Sequence, residues 1–160
     1  MKIAKIKSSD YKDIQRIYNY YVQETFFTFS DELMKDSEAI QLTNEGIQYA
    51  GCVALKDDIV IGFGIAYPFR VENIFNNTVK LTYFLNPTYL RKGIGTKILN
   101  YLFVDLKEKG FKEIIVNISS LNKTSIEFHK KMGFVECGFF QNIGTIKEHE
   151  ISMVWMQKKI

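Results

Sequence analysis

The stretch that decides the fold is LTYFLNPTYLRKGIGTKIL, residues 81–99. Apolar residues alternate up to Leu85 and predict a strand, which Pro87 ends because proline cannot donate to a sheet ladder. Gly93 and Gly95 then leave backbone amides uncovered where an amphipathic helix begins. Unpaired N–H groups and the partial positive charge of a helix N-terminus favour anions, so this turn is a candidate phosphate site.

The glycine turn matches neither of two common phosphate-binding motifs. A dinucleotide fingerprint requires a third glycine where this chain has Ile98, and a P-loop requires Gly-Lys-Ser/Thr where it has Gly95-Thr96-Lys97. A tight turn whose glycines only permit close packing is therefore a second interpretation that this stretch alone leaves open.

Composition predicts one globular domain over residues 1–160. The chain has 46% hydrophobic and 24% charged residues, a formal net charge of +3, and lysines spread along its length. Without a basic tract or a long apolar run, neither nucleic acid nor a membrane is an expected partner. Cys52 and Cys137 lack metal-type spacing and are interpreted as free thiols, with no metal expected. We therefore expect a cytoplasmic protein.

The part of the chain before the glycine turn predicts two helices and a hairpin. Ser8 or Ser9 is a candidate cap for the first helix, Asp36 or Ser37 starts the second, and Gly46 is a stop signal. The predicted elements are a strand at 3–6, a helix through 14–22, a helix to about 44, hairpin strands at 51–55 and 59–67, and a loop at 68–78.

The part after the turn predicts a crossover between parallel strands. The helix keeps its apolar side inward and ends at Lys109-Gly110. A strand–helix–strand unit from 81 to 118 is right-handed, so its two strands are parallel. Asn122 caps a further helix that Gly133 ends, and strands follow at 134–140 and 149–157. The fold class predicted from the residues is a mixed α/β domain with a mostly antiparallel sheet and a parallel centre.

Two motifs taken together resemble the GCN5-related N-acetyltransferase (GNAT) family. They are LRKGIGTKIL after a strand and NKTSIEFHKKMGF one crossover later. A closer resemblance, to the phosphinothricin-type acetyltransferase subfamily, rests on Thr28-Phe29-Ser30-Asp31-Glu32, Pro68-Phe69-Arg70 and Met156-Gln157. The resemblance implies a twisted sheet whose parallel centre is splayed, flanked by about four helices. It also suggests a homodimer.

The resemblance implies an acetyl-CoA-dependent N-acetyltransferase. Acetyl-CoA would be the co-substrate, and the acetyl group would pass directly to the primary amine of a small acceptor. That acceptor is expected to be an amino acid or an analogue such as phosphinothricin or methionine sulfone. Three alternatives stay open: acetylation of a protein N-terminus or ribosomal protein, a non-catalytic acyl-CoA sensor, and a nucleotide-binding module.

The resemblance also assigns coenzyme and catalytic residues. His129 occupies the family's Tyr/His position near the coenzyme sulfur, where an imidazole can donate or accept a proton; a surface histidine without a role is the alternative. Tyr83 contributes a backbone amide that polarises the acetyl carbonyl. Asn122 is either a coenzyme contact, a helix cap, or both. The residues expected to contact the coenzyme are Phe84, Leu85, Arg91, Lys92, Gly93, Ile94, Gly95, Thr96, Asn122 and Ser125.

The acceptor side is where the chain departs from the subfamily. Lys80 and Glu72 stand where the subfamily has an acidic residue and an arginine, and Phe75 stands near a subfamily tyrosine. Arg70 is a candidate partner for an acceptor carboxylate, and Lys80 is either a second such partner or a protective lysine on a sheet edge. Phe27 and Phe29 belong to an aromatic segment, Phe26 to Phe29, that forms either a pocket wall or a core plug.

Overall fold

The computed structural model describes all 160 residues, and it confirms the mixed α/β class. Three short 3₁₀ turns lie at Ser8–Asp10, Asn73–Phe75 and Pro87–Tyr89. The strands and helices are β1 Lys2–Lys5, α1 Tyr11–Glu24, α2 Asp36–Gln48, β2 Ala50–Lys56, β3 Ile59–Pro68, β4 Thr78–Leu85, α3 Ile94–Glu108, β5 Glu113–Ser119, α4 Lys123–Lys131, β6 Val135–Ile146 and β7 His149–Lys159.

The seven strands form one sheet in the order β1-β2-β3-β4-β5-β7-β6. Every pairing is antiparallel except β4 with β5, which is parallel as the crossover predicted. That parallel pairing covers only 78–80 against 113–115. β4 stays paired with β3 as far as Leu85, so beyond Lys80 it has no partner strand on its β5 side. The centre of the sheet is therefore splayed, as expected.

Helices cover the two faces of the sheet unequally. α3 and α4 bury one face in a cluster that includes Ile98, Leu102 and Val116. α1 and α2 pack on β2, β3 and β4 of the opposite face, where Ile14, Ile17 and Phe63 form a second cluster. On that second face, Tyr21 of α1 and Asn117 of β5 border the splay.

Gly46 does not end α2, which continues to Gln48. A Cβ added at Gly46 would lie 3.0 Å from Ile65 Cγ1, so the glycine allows the helix to approach β3 closely. Close packing, which is invisible in the local sequence, therefore explains this glycine. The predicted stop at Gly46 was wrong because a glycine inside a helix costs only about 1 kcal/mol, which packing can offset.

The predicted helix caps at Ser8 and Ser9 were also wrong. Both serines lie in a 3₁₀ turn, and the carboxylate of Asp10 accepts a hydrogen bond of 2.8 Å from the Lys7 amide. The hairpin prediction is confirmed: Asp57 and Asp58 form its two-residue turn with φ of 50° and 61°. Such left-handed pairs match the twist of the flanking strands.

The remaining predictions concern the end of β6, the two cysteines and the absence of a membrane-spanning helix. β6 extends to Ile146 rather than ending at Phe140, since it pairs with β7 along most of that length. Cys52 is buried, Cys137 is exposed, and both are free thiols as expected. None of the helices has the length and apolar character required to span a membrane.

Candidate active site

A cavity of about 460 Å³ occupies the splay between β4 and β5. Its wall includes residues that project from both faces of the sheet. Leu81 and Val116 belong to the core under α3, whereas Thr82 and Asn117 project from the opposite face. The cavity therefore passes through the sheet and connects its two faces.

The glycine turn closes one end of this cavity. Arg91 and Gly93 adopt left-handed φ of 60° and 74°, and both line the cavity. The first hydrogen bond of α3 runs from Lys97 N to Gly93 O at 3.3 Å. The backbone amides of Ile94, Gly95 and Thr96 therefore have no acceptor within the helix. This is the geometry that suits an anion at a helix N-terminus.

The two sequence motifs meet at Gly95. A Cβ at this position would lie 3.4 Å from Phe128 Cζ, so the missing side chain leaves room for the aromatic ring of α4. Thr96 also lies on the cavity wall, whereas Lys92 does not. The Lys92 ammonium donates a 3.0 Å hydrogen bond to the Thr88 carbonyl and sits over the ring of Tyr89, 5.2 Å from its centroid. The structure thus directs Lys92 away from the cavity.

Asn122 caps α4 and also lines the cavity. Its Oδ1 accepts a 3.1 Å hydrogen bond from the Ser125 amide, which caps α4. Asn122 and Ser125 also line the cavity. Because Oδ1 is occupied by the cap, the Asn122 amide group is the part of this side chain that remains free to donate.

His129 is held by two hydrogen bonds inside the cavity wall. The ring is only 2% exposed, which excludes the alternative of a surface histidine. Nδ1 lies 2.7 Å from the Ser125 carbonyl oxygen, and Nε2 lies 3.1 Å from the hydroxyl of Tyr83. A carbonyl oxygen can only accept, so Nδ1 carries the hydrogen and Nε2 accepts from the Tyr83 O–H. The neutral ring thus has a fixed tautomer.

Burial shifts the pKa of both members of this pair. Desolvation disfavours the charged imidazolium and lowers the pKa of His129 to about 4, against a smaller opposing effect of its hydrogen bond to the Ser125 backbone. Desolvation likewise raises the pKa of the Tyr83 hydroxyl far above its usual range. Both side chains are therefore neutral at pH 7, and the pair holds a single shared O–H···N hydrogen bond.

The free side of β4 presents backbone groups to the cavity. Phe84 and Leu85 line it next to Tyr83, in the segment that pairs with β3 but not with β5. The carbonyl of Leu85 is not free to bind a ligand, because it accepts a hydrogen bond of 2.7 Å from the Tyr21 hydroxyl. Unpaired backbone donors and acceptors along this segment can bind an extended ligand as a further strand would.

Of the predicted acceptor residues, the structure brings only Phe27 to the cavity wall. Phe29 is 39% exposed and lies outside it. Arg70 and Glu72 are exposed and bind each other, with Nη2 to Oε1 at 2.6 Å. Phe75 packs edge-on against Phe69, with 5.6 Å between ring centroids. The prediction of Phe29 as a cavity residue is thus not supported by its position.

Lys80 is not on a sheet edge, so the explanation as a protective edge lysine was wrong. β4 is a central strand, and Lys80 is paired with Tyr67 of β3 and Ile115 of β5. Its ammonium lies 5.3 Å from the ring centroid of Trp155. Lys80 therefore occupies the sheet face on which Thr82 lines the cavity.

Sequence reasoning missed several residues of the cavity wall. Asn117 is the polar residue of an otherwise apolar strand, IIVNI, and that interruption was the available signal. Tyr21 follows the apolar period of α1, which by itself indicates only a core position. The other wall residues without a predicted role are Leu81, Thr82, Leu90, Val116, Ile118, Thr124 and Phe128.

The splayed sheet, the helix N-terminus and the through-cavity define an acyltransferase-type fold. The sequence profile of the acetyltransferase (GNAT) family matches residues 14–134, well over half of the chain. The chain belongs to this family, and the predicted N-acetyltransferase class is confirmed.

Relatives and a solved structure agree with this membership. A phosphinothricin N-acetyltransferase of Streptomyces viridochromogenes is 24% identical over 90% of this chain and 79% of its own length. The L-amino acid N-acyltransferase MnaT of Escherichia coli K12 is 25% identical over 100% and 94%. A phosphinothricin acetyltransferase from Sinorhizobium meliloti, solved in complex with acetyl-CoA, has a TM-score of 0.92 at 25% identity, covering 99% of this chain and 88% of that chain.

Proposed function

We propose that this N-acetyltransferase transfers the acetyl group of acetyl-CoA to the primary amine of a small, amino-acid-like acceptor. The observation that carries the proposal is the cavity that passes through the sheet between β4 and β5. Such a passage lets a coenzyme and an acceptor approach one point from opposite faces. The amino-acid and phosphinothricin acceptors named for the relatives support the acceptor class.

The coenzyme would occupy the α3 side of the passage. Its pyrophosphate suits the unpaired amides of Ile94, Gly95 and Thr96, with Arg91 beside them. Its pantetheine arm suits the free backbone of β4, and Asn122 and Ser125 border the same space. Acetyl-CoA supplies a reactive thioester, so the chain mainly has to bind and orient it.

The chemistry requires that one proton moves from nitrogen to sulfur. The neutral amine attacks the thioester carbon, a C–N bond forms, the C–S bond breaks, and the sulfur takes up the proton that the nitrogen loses. Tyr83 contributes its backbone amide toward the developing oxyanion. That proton can pass from nitrogen to sulfur through the hydroxyl of Tyr83, which takes up the amine proton as it releases its own; His129 Nε2, 3.1 Å away, orients this hydroxyl and both side chains end the step neutral. Ser125 fixes the imidazole orientation through Nδ1.

The coenzyme site is tested by placing a negative charge in the glycine turn. Gly95→Asp is expected to weaken acetyl-CoA binding by at least about tenfold in calorimetry, because a like-charge contact costs roughly 1.4 kcal/mol or more. Gly144→Asp is the matched control, since a side chain at this exposed position meets nothing within 4 Å. Equal affinity of Gly95→Asp and Gly144→Asp would contradict the assignment.

The reaction is tested by acetyl-CoA-dependent thiol release with a panel of primary amines. CoA thiol is expected to be released in the presence of amino acids and their analogues. Its release is expected to be slower with short peptides. Preferential release with peptide N-termini would support the protein acetyltransferase alternative. Binding of acetyl-CoA without thiol release from any amine would support the sensor alternative, and displacement of acetyl-CoA by ATP would support the nucleotide-binding alternative.

A further inference from the structure

Lys80 lies beside the opening of the cavity on the face away from α3. Side chains two residues apart on a strand share a face and are separated by about 7 Å, so Lys80 neighbours Thr82, which lines the cavity. On the other side of the opening, Trp155 of β7 lies opposite Asn117 of β5, which also lines it. The Lys80 ammonium and the Trp155 ring, 5.3 Å apart, therefore stand together at this mouth.

The Lys80 ammonium has no anionic partner within the chain. None of the ion pairs of the structure includes it, and it makes no side-chain hydrogen bond. Its neighbours are two aromatic faces, those of Trp155 and of Tyr67 at 6.0 Å. It is half-buried there, and desolvation lowers its pKa without any opposing charge. The indole N–H of Trp155 also lacks an acceptor.

Arg70, the other cation predicted to hold an acceptor carboxylate, is already neutralised. Its Nε and Nη2 bind the Glu72 carboxylate at 2.6 to 3.2 Å, and both residues are exposed. A half-buried charge without a counter-ion costs free energy unless a partner supplies one. The ammonium of Lys80 is therefore the unpaired cation that an anionic ligand at this mouth would meet.

We propose that Lys80, supported by Trp155, binds a carboxylate-type oxyanion of the acceptor and so selects small amines that carry a negative charge. This inference rests on the proposed acetyl transfer and adds the residue that recognises the negative charge of the acceptor. The aromatic faces hold the ammonium in place at the mouth, while the amine of the acceptor points through the opening toward the thioester. The departure from the subfamily at position 80 then changes acceptor recognition rather than coenzyme binding.

The test compares acids with their uncharged amides. Thiol release is measured for L-amino acids and the corresponding L-amino acid amides with the unchanged protein, Lys80→Met and Arg70→Met. The ratio of kcat/KM for acid over amide is expected to fall at least tenfold in Lys80→Met and to stay unchanged in Arg70→Met. Differences in intrinsic amine reactivity cancel because the same substrates are compared across variants. Methionine preserves the apolar stem that packs on the rings.

The possible outcomes distinguish a failure of this inference from a failure of the proposed function. An unchanged ratio in Lys80→Met, or a fall in Arg70→Met as large as in Lys80→Met, would overturn the role of Lys80 while leaving acetyl transfer in place. Absence of thiol release with both acids and amides would overturn the proposed function and this inference together.

A binding measurement provides a second readout that does not require turnover. Trp155 is the single tryptophan of the chain, so its fluorescence reports directly on this mouth. Titration of the CoA complex with the best L-amino acid of the panel is expected to change that fluorescence, with a Kd at least tenfold weaker in Lys80→Met. Equal Kd values for the two proteins would count against the inference.

Discussion

Acidification is expected to destabilise the fold through one buried imidazole, that of His129. Burial lowers its pKa from the ordinary value of 6.5 to about 4. Between these two values the unfolded chain binds more protons than the folded one, so the free energy of unfolding rises with pH. The stability that comes from keeping His129 neutral is fully present above pH 6.5 and is lost as the pH falls toward 4.

The magnitude follows from the two pKa values. Linkage predicts that His129 costs the folded state about 1.2 kcal/mol at pH 5.5 and about 2.4 kcal/mol at pH 4.5, relative to pH 7. A loss of this size is a large fraction of the roughly 5 to 15 kcal/mol that stabilises a typical domain. It is also large compared with the effect expected from an exposed histidine.

The assay is urea unfolding of the protein and of His129→Gln at pH 7.0, 5.5 and 4.5. His129→Gln loses stability at pH 7, but it lacks the titration and is expected to show a flatter decline toward pH 4.5. His149→Gln is the control, because His149 is exposed and its removal leaves the buried imidazole in place. If His129→Gln and the unchanged protein declined in parallel, the buried neutral imidazole would not be the cause.

Three further predictions follow from individual contacts. Tyr83→Phe is expected to lower kcat about a hundredfold without changing the Kd of acetyl-CoA, because it removes the hydroxyl that His129 accepts from; an unchanged kcat would exclude a proton-transfer role. Asn122→Ala is expected to cost about 1 kcal/mol of stability through loss of the α4 cap, measured by urea unfolding. Gly64→Ala is expected to cost about 1–3 kcal/mol, since its Cβ would lie 2.5 Å from Ile98 Cγ2, while Gly144→Ala meets open space and serves as the control.

Features that depend on neighbouring residues were predictable from the sequence. The strand before Pro87, the helix start after Gly93 and the Asn122 cap are each set by backbone geometry and local hydrogen bonds. The parallel pairing followed from the strand–helix–strand connection, because a crossover helix returns the chain to the end of the sheet where the first strand began. These elements carry the residues predicted to contact the coenzyme, and the structure brings all of them except Lys92 to one cavity wall.

Features that depend on distant contacts were not predictable in the same way. Gly46 sits inside α2 because of Ile65, a residue of another element. Lys92 was expected at the coenzyme but is bound to the Thr88 carbonyl instead. Phe29 remains exposed although Phe27, two residues earlier, reaches the cavity. Sequence spacing does not distinguish Phe27 from Phe29, because the surroundings of each side chain are set by residues that are distant along the chain.

The sequence by itself determined the order of the elements, the glycine turn at the start of α3 and the family, because each is encoded in short stretches with their own geometry. Only the tertiary structure decided which charged and aromatic groups surround the cavity. It paired Arg70 with Glu72, fixed the tautomer of His129 through Ser125, and placed Lys80 on a central strand beside Trp155. Charge pairing and burial depend on the arrangement of whole elements in space, and so the free cation at the cavity mouth became visible only in the folded chain.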